Sequence, residues 1–64
     1  MNFEIFDEIF NKVKHELGIA HWYELFDSED FYEVEDRIAD YFGVIDAHEV
    51  EGFCDWYHEM AMEL

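Results

Sequence analysis

Residues 3–18 read FEIFDEIFNKVKHELG, and Phe3, Phe6, Phe10, Val13 and Leu17 recur there at alternating spacings of three and four. That rhythm places the five side chains on one face of an α-helix. Gly18 follows the last of them as a helix-ending residue, and Asn2 stands where an N-cap is needed. Working outward, the same rhythm returns twice. Phe31, Val34, Ile38, Tyr41 and Phe42 form a second stripe, closed by Gly43. Val50, Phe53, Tyr57, Met60 and Leu64 form a third.

The starts of the later helices carry their own signals. With Asp27 or Ser28 opening the second long helix and Asp27 as its N-cap, Asp30 falls at N3, and Phe26 and Phe31 fall at the two staple positions. The third long helix has Asp46 as N-cap, Glu49 at N3, and Ile45 with Val50 as the staple. Gly52 then lies in its first turn, at a cost of up to about 1 kcal/mol relative to Ala. Residues 19–26, IAHWYELF, are short and mostly apolar. A short helix is expected there, with a buried strand as the alternative, since short apolar runs do not separate the two. The expected fold class is all-α: residues 1–64 form a single-domain bundle of three longer helices and one short helix.

Composition requires a core. Hydrophobic residues make up 52% of the 64-residue chain and aromatic residues 20%. An acidic disordered tail lacks both. Most of Phe3, Phe6, Phe10, Phe31, Phe42 and Phe53 are expected in the core. Ile5 and Ile9 widen the apolar arc of the first helix, either to dock the short segment or to form a homodimer seam. The one cysteine, Cys54, cannot staple the chain. It lies beside the third stripe and is expected as a buried structural thiol. No basic stretch followed by an apolar run begins the sequence, and no apolar run approaches a membrane span.

Charge is the second dominant feature. Eighteen Asp and Glu face three Lys and Arg, a formal net charge of −15. Glu29, Glu33, Asp36 and Asp40 form one row opposite the second apolar stripe. Glu51, Asp55, Glu59 and Glu63 form another opposite the third. Solvated helix faces ordinarily mix signs. Like charges one turn apart destabilise a helix by about 0.2–0.5 kcal/mol per pair, and a large net charge strains the compact state. The rows are therefore expected to bind a basic partner, with Tyr32 and Trp56, off the stripe centres, as aromatic anchors. Direct nucleic-acid binding and docking on anionic lipid are opposed by the same charge.

Fifteen charges at the density of duplex DNA, one per about 1.7 Å, span roughly 25 Å. A globule of this length has a radius of gyration near 11 Å and a comparable width of about 25–30 Å. In size, charge and helical surface pattern across the whole chain, the sequence resembles the small acidic phage-encoded inhibitors that act as DNA mimics. Anti-CRISPR proteins, anti-restriction proteins and inhibitors of uracil-DNA glycosylase belong to that class. The resemblance rests on pattern, without a shared motif. It implies an inhibitor that works in a bacterial host cytoplasm by filling the basic nucleic-acid-binding cleft of a CRISPR effector, restriction enzyme or other DNA-processing protein. The competing reading is an acidic adaptor or antitoxin-like module on a basic surface that DNA does not use.

Chemistry-bearing motifs are sparse. Asp55 and His58 share the i,i+3 spacing of di-iron bundles, but no second copy exists. Neither a calcium loop nor a zinc pattern is present. No metal, cofactor or catalytic residue is expected, and the acids around Cys54 would suppress its thiolate. A non-enzymatic role is expected.

Overall fold

The computed structural model describes residues 3–64, and its elements follow the apolar rhythm, with α3 and α4 each starting later than their capping signals predict. The expected N-cap Asn2 lies outside the described residues. Helix α1 spans Glu4–Glu16, α2 spans Trp22–Phe26, α3 spans Phe31–Phe42 and α4 spans Phe53–Met62. A 3₁₀ turn, Ala47–Glu49, precedes α4, and no strand occurs among the described residues. The all-α expectation and the division into three longer helices and one short one hold. The 19–26 segment is helical from Trp22 onward, burying Leu25 and Phe26.

Helix α1 buries Phe6, Phe10 and Val13, the centre of its expected stripe. Its end is a Schellman arrangement. Gly18 adopts φ +69°, its N–H bonds to the His15 carbonyl at 3.1 Å, and the Ile19 N–H bonds to Lys14 at 3.0 Å. Only a residue without Cβ takes that backbone cheaply. Leu17 therefore sits past the last full turn and is largely exposed. The end of α3 repeats the pattern at Gly43, with the Val44 N–H on the Ala39 carbonyl.

Helix α3 starts later than Asp27 predicts. Ser28 organises the preceding turn instead: its hydroxyl donates to the Leu25 carbonyl and accepts the Asp30 N–H. A Ser hydroxyl donates to a backbone carbonyl while accepting a backbone N–H, whereas an Asp carboxylate can only accept. The Phe26 and Phe31 rings still meet edge to face, centroids 5.2 Å apart. Phe31, Val34 and Ile38 are buried as expected, joined by Ala39, while Tyr41 and Phe42 are exposed.

The larger shift concerns α4. Asp46 does cap, with Glu49 completing a reciprocal capping box, but the element it caps is the single 3₁₀ turn. Gly52 then takes φ +89° and α4 begins anew at Phe53. Phe53 and Met60 face inward as expected, and Trp56 takes the inward place expected of Tyr57, with Phe53 and Trp56 fully buried. Tyr57 and Leu64 are exposed, and so is Cys54, contrary to the expected buried thiol. Ile45 does not staple to Val50: it is 97% exposed, whereas Val50 is buried.

Trp56 stands at the centre of the core. Its ring lies 5.6 Å from Phe6, 6.0 Å from Phe10 and 5.7 Å from Phe53. It stacks on Phe31 at 6.2 Å. Offset and edge-to-face aromatic pairs add about 0.5–1.5 kcal/mol each beyond their area burial. These rings share the core with Val13, Leu25, Val34, Ile38 and Val50. Phe3 and Ile9 pack at the margin of this cluster.

Candidate protein-interaction surface

The acids expected to bind a partner all reach the surface. Glu29, Glu33, Asp36, Asp40, Glu51, Asp55, Glu59 and Glu63 are each exposed. They do not form two unbroken helical rows. Glu29 lies in the turn before α3, and Glu51 lies in the turn before α4. The delayed start of α3 and the break at Gly52 remove the leading acid of each row from its helix. Glu33, Asp36 and Asp40 remain on α3, Asp55 and Glu59 on α4, and Glu63 forms the C-cap of α4.

The two expected anchors part company. Tyr32 is 66% exposed and stays available, whereas Trp56 is 2% exposed. Its indole N–H donates to Asp7 Oδ1 at 2.9 Å, tying α4 to α1. Buried indoles need such a partner. Trp56 is therefore a core residue, and Asp7 serves it. An acid one turn ahead of the buried Phe10 on α1 was the available sequence signal for that role.

Two of the three Lys and Arg residues, Lys12 and Arg37, meet at one groove. Arg37 donates through Nη1 and Nη2 to the two carboxylate oxygens of Glu16, at 2.7 and 2.9 Å, and through Nε to Glu33 at 3.0 Å. These bonds hold the Glu16 carboxyl below its ordinary range and raise the Arg37 guanidinium further. Of the eight row acids, Glu33 alone forms an ion pair among the described residues. Lys12, Arg37, Asp36, Asp40 and Tyr41 line a shallow groove between α1 and α3.

A second cluster lies where the 3₁₀ turn meets α3. His48 Nδ1 is 2.9 Å from Asp46 Oδ1 and 4.0 Å from Glu35. The His48 backbone N–H also donates to Asp46, which pulls the Asp46 carboxyl down. The hydrogen bond to Asp46 raises His48, and partial burial raises Glu35. Their donor atoms lie within 4.8 Å of one another, a spacing that a divalent ion could bridge. The arrangement already satisfies itself as a helix cap and an ion-pair tie between elements. The expected Asp55–His58 pair is not part of it. Both of those residues are exposed on α4.

A third feature is a cleft of about 340 Å³ beside the α2–α3 turn, lined by Phe26, Tyr32 and Tyr57 together with Asp27, Glu29 and Glu35. Here acid and aromatic surface coincide. Comparison with protein-family models, curated proteins and solved structures gave no match.

Proposed function

We propose that this chain is a DNA-mimic inhibitor that fills the basic nucleic-acid-binding cleft of a host defence or DNA-processing protein, of the CRISPR-effector or restriction-enzyme kind. It acts by occupancy, without catalysis. The observation that carries the reading is the exposure of all eight row acids, seven of them without an ion pair among the described residues.

The dimensions support it. The globule measures 28 × 23 × 19 Å, with a radius of gyration of 11.0 Å. Fifteen net charges along the 28 Å axis give about 1.9 Å per charge, close to the roughly 1.7 Å of duplex DNA. Carboxylates one helical turn apart are spaced by about 5–6 Å, of the order of successive phosphates. A cleft built to hold phosphates with Lys and Arg would meet here a rigid surface of comparable charge density. Rigidity matters, because a preformed surface loses less entropy on docking than a flexible acidic tail.

Capture from host lysate on immobilised protein, washed at graded salt, tests the reading. A nucleic-acid-binding protein that elutes with rising salt is expected, and the charge-reversed pairs Asp36→Lys/Asp40→Lys and Asp55→Lys/Glu59→Lys each test one helix face. Loss of capture with at least one pair, in a protein that still folds, supports the reading. Capture undiminished by both pairs overturns it. The acidic adaptor reading gains ground instead if the captured protein binds this chain and DNA together.

A further inference from the structure

The acid-lined concavities differ in what already answers their charge and in the rings they expose. In the α1–α3 groove, Asp36 and Asp40 share the walls with Lys12 and Arg37. Beside the 3₁₀ turn, Glu49, which lines a depression with Glu51, already accepts the Asp46 N–H. In the depression between α1 and α4, Asp7 is occupied by the Trp56 indole, and Glu59 and Glu63 stand beside the buried Trp56 and the half-buried Phe3. The cleft beside the α2–α3 turn has no Lys or Arg in its lining and sets its carboxylates beside two exposed tyrosines, Tyr32 and Tyr57. Its carboxylates come from Asp27, Glu29 and Glu35, and its aromatic walls from Phe26, Tyr32 and Tyr57.

We propose that this cleft receives the guanidinium of an arginine side chain presented by the partner protein. The proposal rests on the reading of the acidic surface as a site for a basic protein, and names the one place where that surface recognises a particular side chain.

The geometry favours arginine over lysine. A guanidinium is planar, stacks on aromatic faces and donates in a fixed fork that matches carboxylates. An ammonium is a compact, strongly hydrated charge with no face to stack. Tyr57 packs on Phe26 at 4.9 Å and on Phe31 at 5.6 Å, so its ring is held in place although it is 42% exposed. Tyr32, at 66% exposure, is free to close over an incoming side chain. Asp27 and Glu29 are exposed at the cleft mouth and form no ion pair among the described residues. Glu35 lies deeper, its side chain 22% exposed, and already faces His48 at 4.0 Å, so Asp27 and Glu29 supply the acceptors for an incoming cation.

The test uses three short peptides, acetyl-Gly-Arg-Gly-amide and its lysine and citrulline counterparts, titrated into ¹⁵N-labelled protein at low salt. Citrulline keeps the shape of arginine and removes its charge. The arginine peptide is expected to saturate, with amide shifts centred on residues 26–35 and 57. Lysine should bind more weakly by about threefold or more, because it lacks the stacking plane. Citrulline should not saturate. Tyr32→Leu, which removes the ring from an exposed position, and Glu29→Gln should each weaken the arginine peptide by about threefold. Equal, non-saturating shifts from arginine and lysine over all acidic faces would overturn the proposal, as would full affinity in both variants. The wider reading fails separately. If the arginine peptide saturates in the cleft while both charge-reversed pairs leave partner capture intact, the cleft stands and the DNA-mimic reading falls. If the peptides fail and the reversals abolish capture, the cleft falls and the wider reading stands.

Discussion

The indole N–H of Trp56 donates to Asp7 Oδ1 at 2.9 Å, joining two residues 49 positions apart in the chain. This bond helps fix the rotation of α4 about its axis. With Trp56 turned inward by this bond and by its ring contacts, Asp55 and Glu59 are both exposed beside it. Trp56→Phe should keep most of the ring packing and remove the donor, leaving the exposed Asp7 carboxylate to water. A loss of about 0.5–1.5 kcal/mol is expected. Asp7→Asn should cost less, since its amide oxygen still accepts. Urea denaturation of the two variants checks both the size and the order of the effects.

Gly52 offers a sharper contrast. In the first turn of a continuous helix, Gly→Ala would stabilise by up to about 1 kcal/mol. At φ +89° the same change strains the backbone and should destabilise by about 1 kcal/mol or more. Thermal unfolding of Gly52→Ala gives opposite signs for the two cases, and a fall in Tm is expected. A rise would mean that the 3₁₀ turn and α4 form one helix.

These two residues also show what was legible in the sequence. The apolar spacing of α1 and α3 placed Phe6, Phe10, Val13, Phe31, Val34 and Ile38 in the core, because each stripe runs without interruption. The third stripe placed Val50, Phe53 and Met60 correctly and missed at Tyr57, whose place in the core Trp56 takes. From Phe53 both Trp56 and Tyr57 lie at helical spacing, and the rhythm alone does not choose between them. Asp46 and Glu49 were correctly read as a capping box, yet a capping box does not reveal how many residues follow before the helix stops. The acids were legible as exposed because charged side chains have few other places to go. The cleft beside the α2–α3 turn was not, since it joins Tyr57 to residues some thirty positions earlier. Tyr32 alone among its aromatics was singled out, from its position off the stripe.

Stability should depend on pH with a maximum on the mildly acidic side. Folding raises the proton affinity of Glu35 and His48. Their stabilising contributions are full below the unfolded values and are lost as pH rises through the folded ones. Folding lowers the values of Glu16 and Asp46, so their contributions are present above the unfolded values and are lost as pH falls through the folded ones. His48 on one side and Glu16 and Asp46 on the other set the favourable window between the ordinary glutamate and histidine values, about 4.3 and 6.5, while the Glu35 contribution belongs to its acid edge and is lost across it. Mutual repulsion of carboxylates also weakens as they protonate. A higher Tm in that window than at neutral pH is expected, with His48→Gln reducing the difference. At neutral pH, raising the ionic strength from low to physiological should raise Tm, because salt screens exposed charges beyond about 8–10 Å. Scanning calorimetry across pH and salt checks both.

The charge-reversed pairs separate fold from recognition. Asp36→Lys/Asp40→Lys and Asp55→Lys/Glu59→Lys alter exposed positions and relieve like-charge repulsion, so each should leave Tm unchanged or raise it slightly. Association with the partner should slow if the acids lie at the interface rim, and dissociation should quicken if they are desolvated in the complex. Stopped-flow or surface-binding kinetics distinguish the two. A variant that loses its helical circular dichroism would show that the acids support the fold after all.

The central claim, that this surface stands in for DNA, is tested most directly by competition. The captured partner is loaded with a fluorescent duplex, and this protein is titrated in at constant salt. Displacement of the duplex to completion is expected, with saturating duplex in turn releasing the protein. A ternary complex, in which partner, duplex and protein coexist without mutual loss of affinity, would contradict the claim.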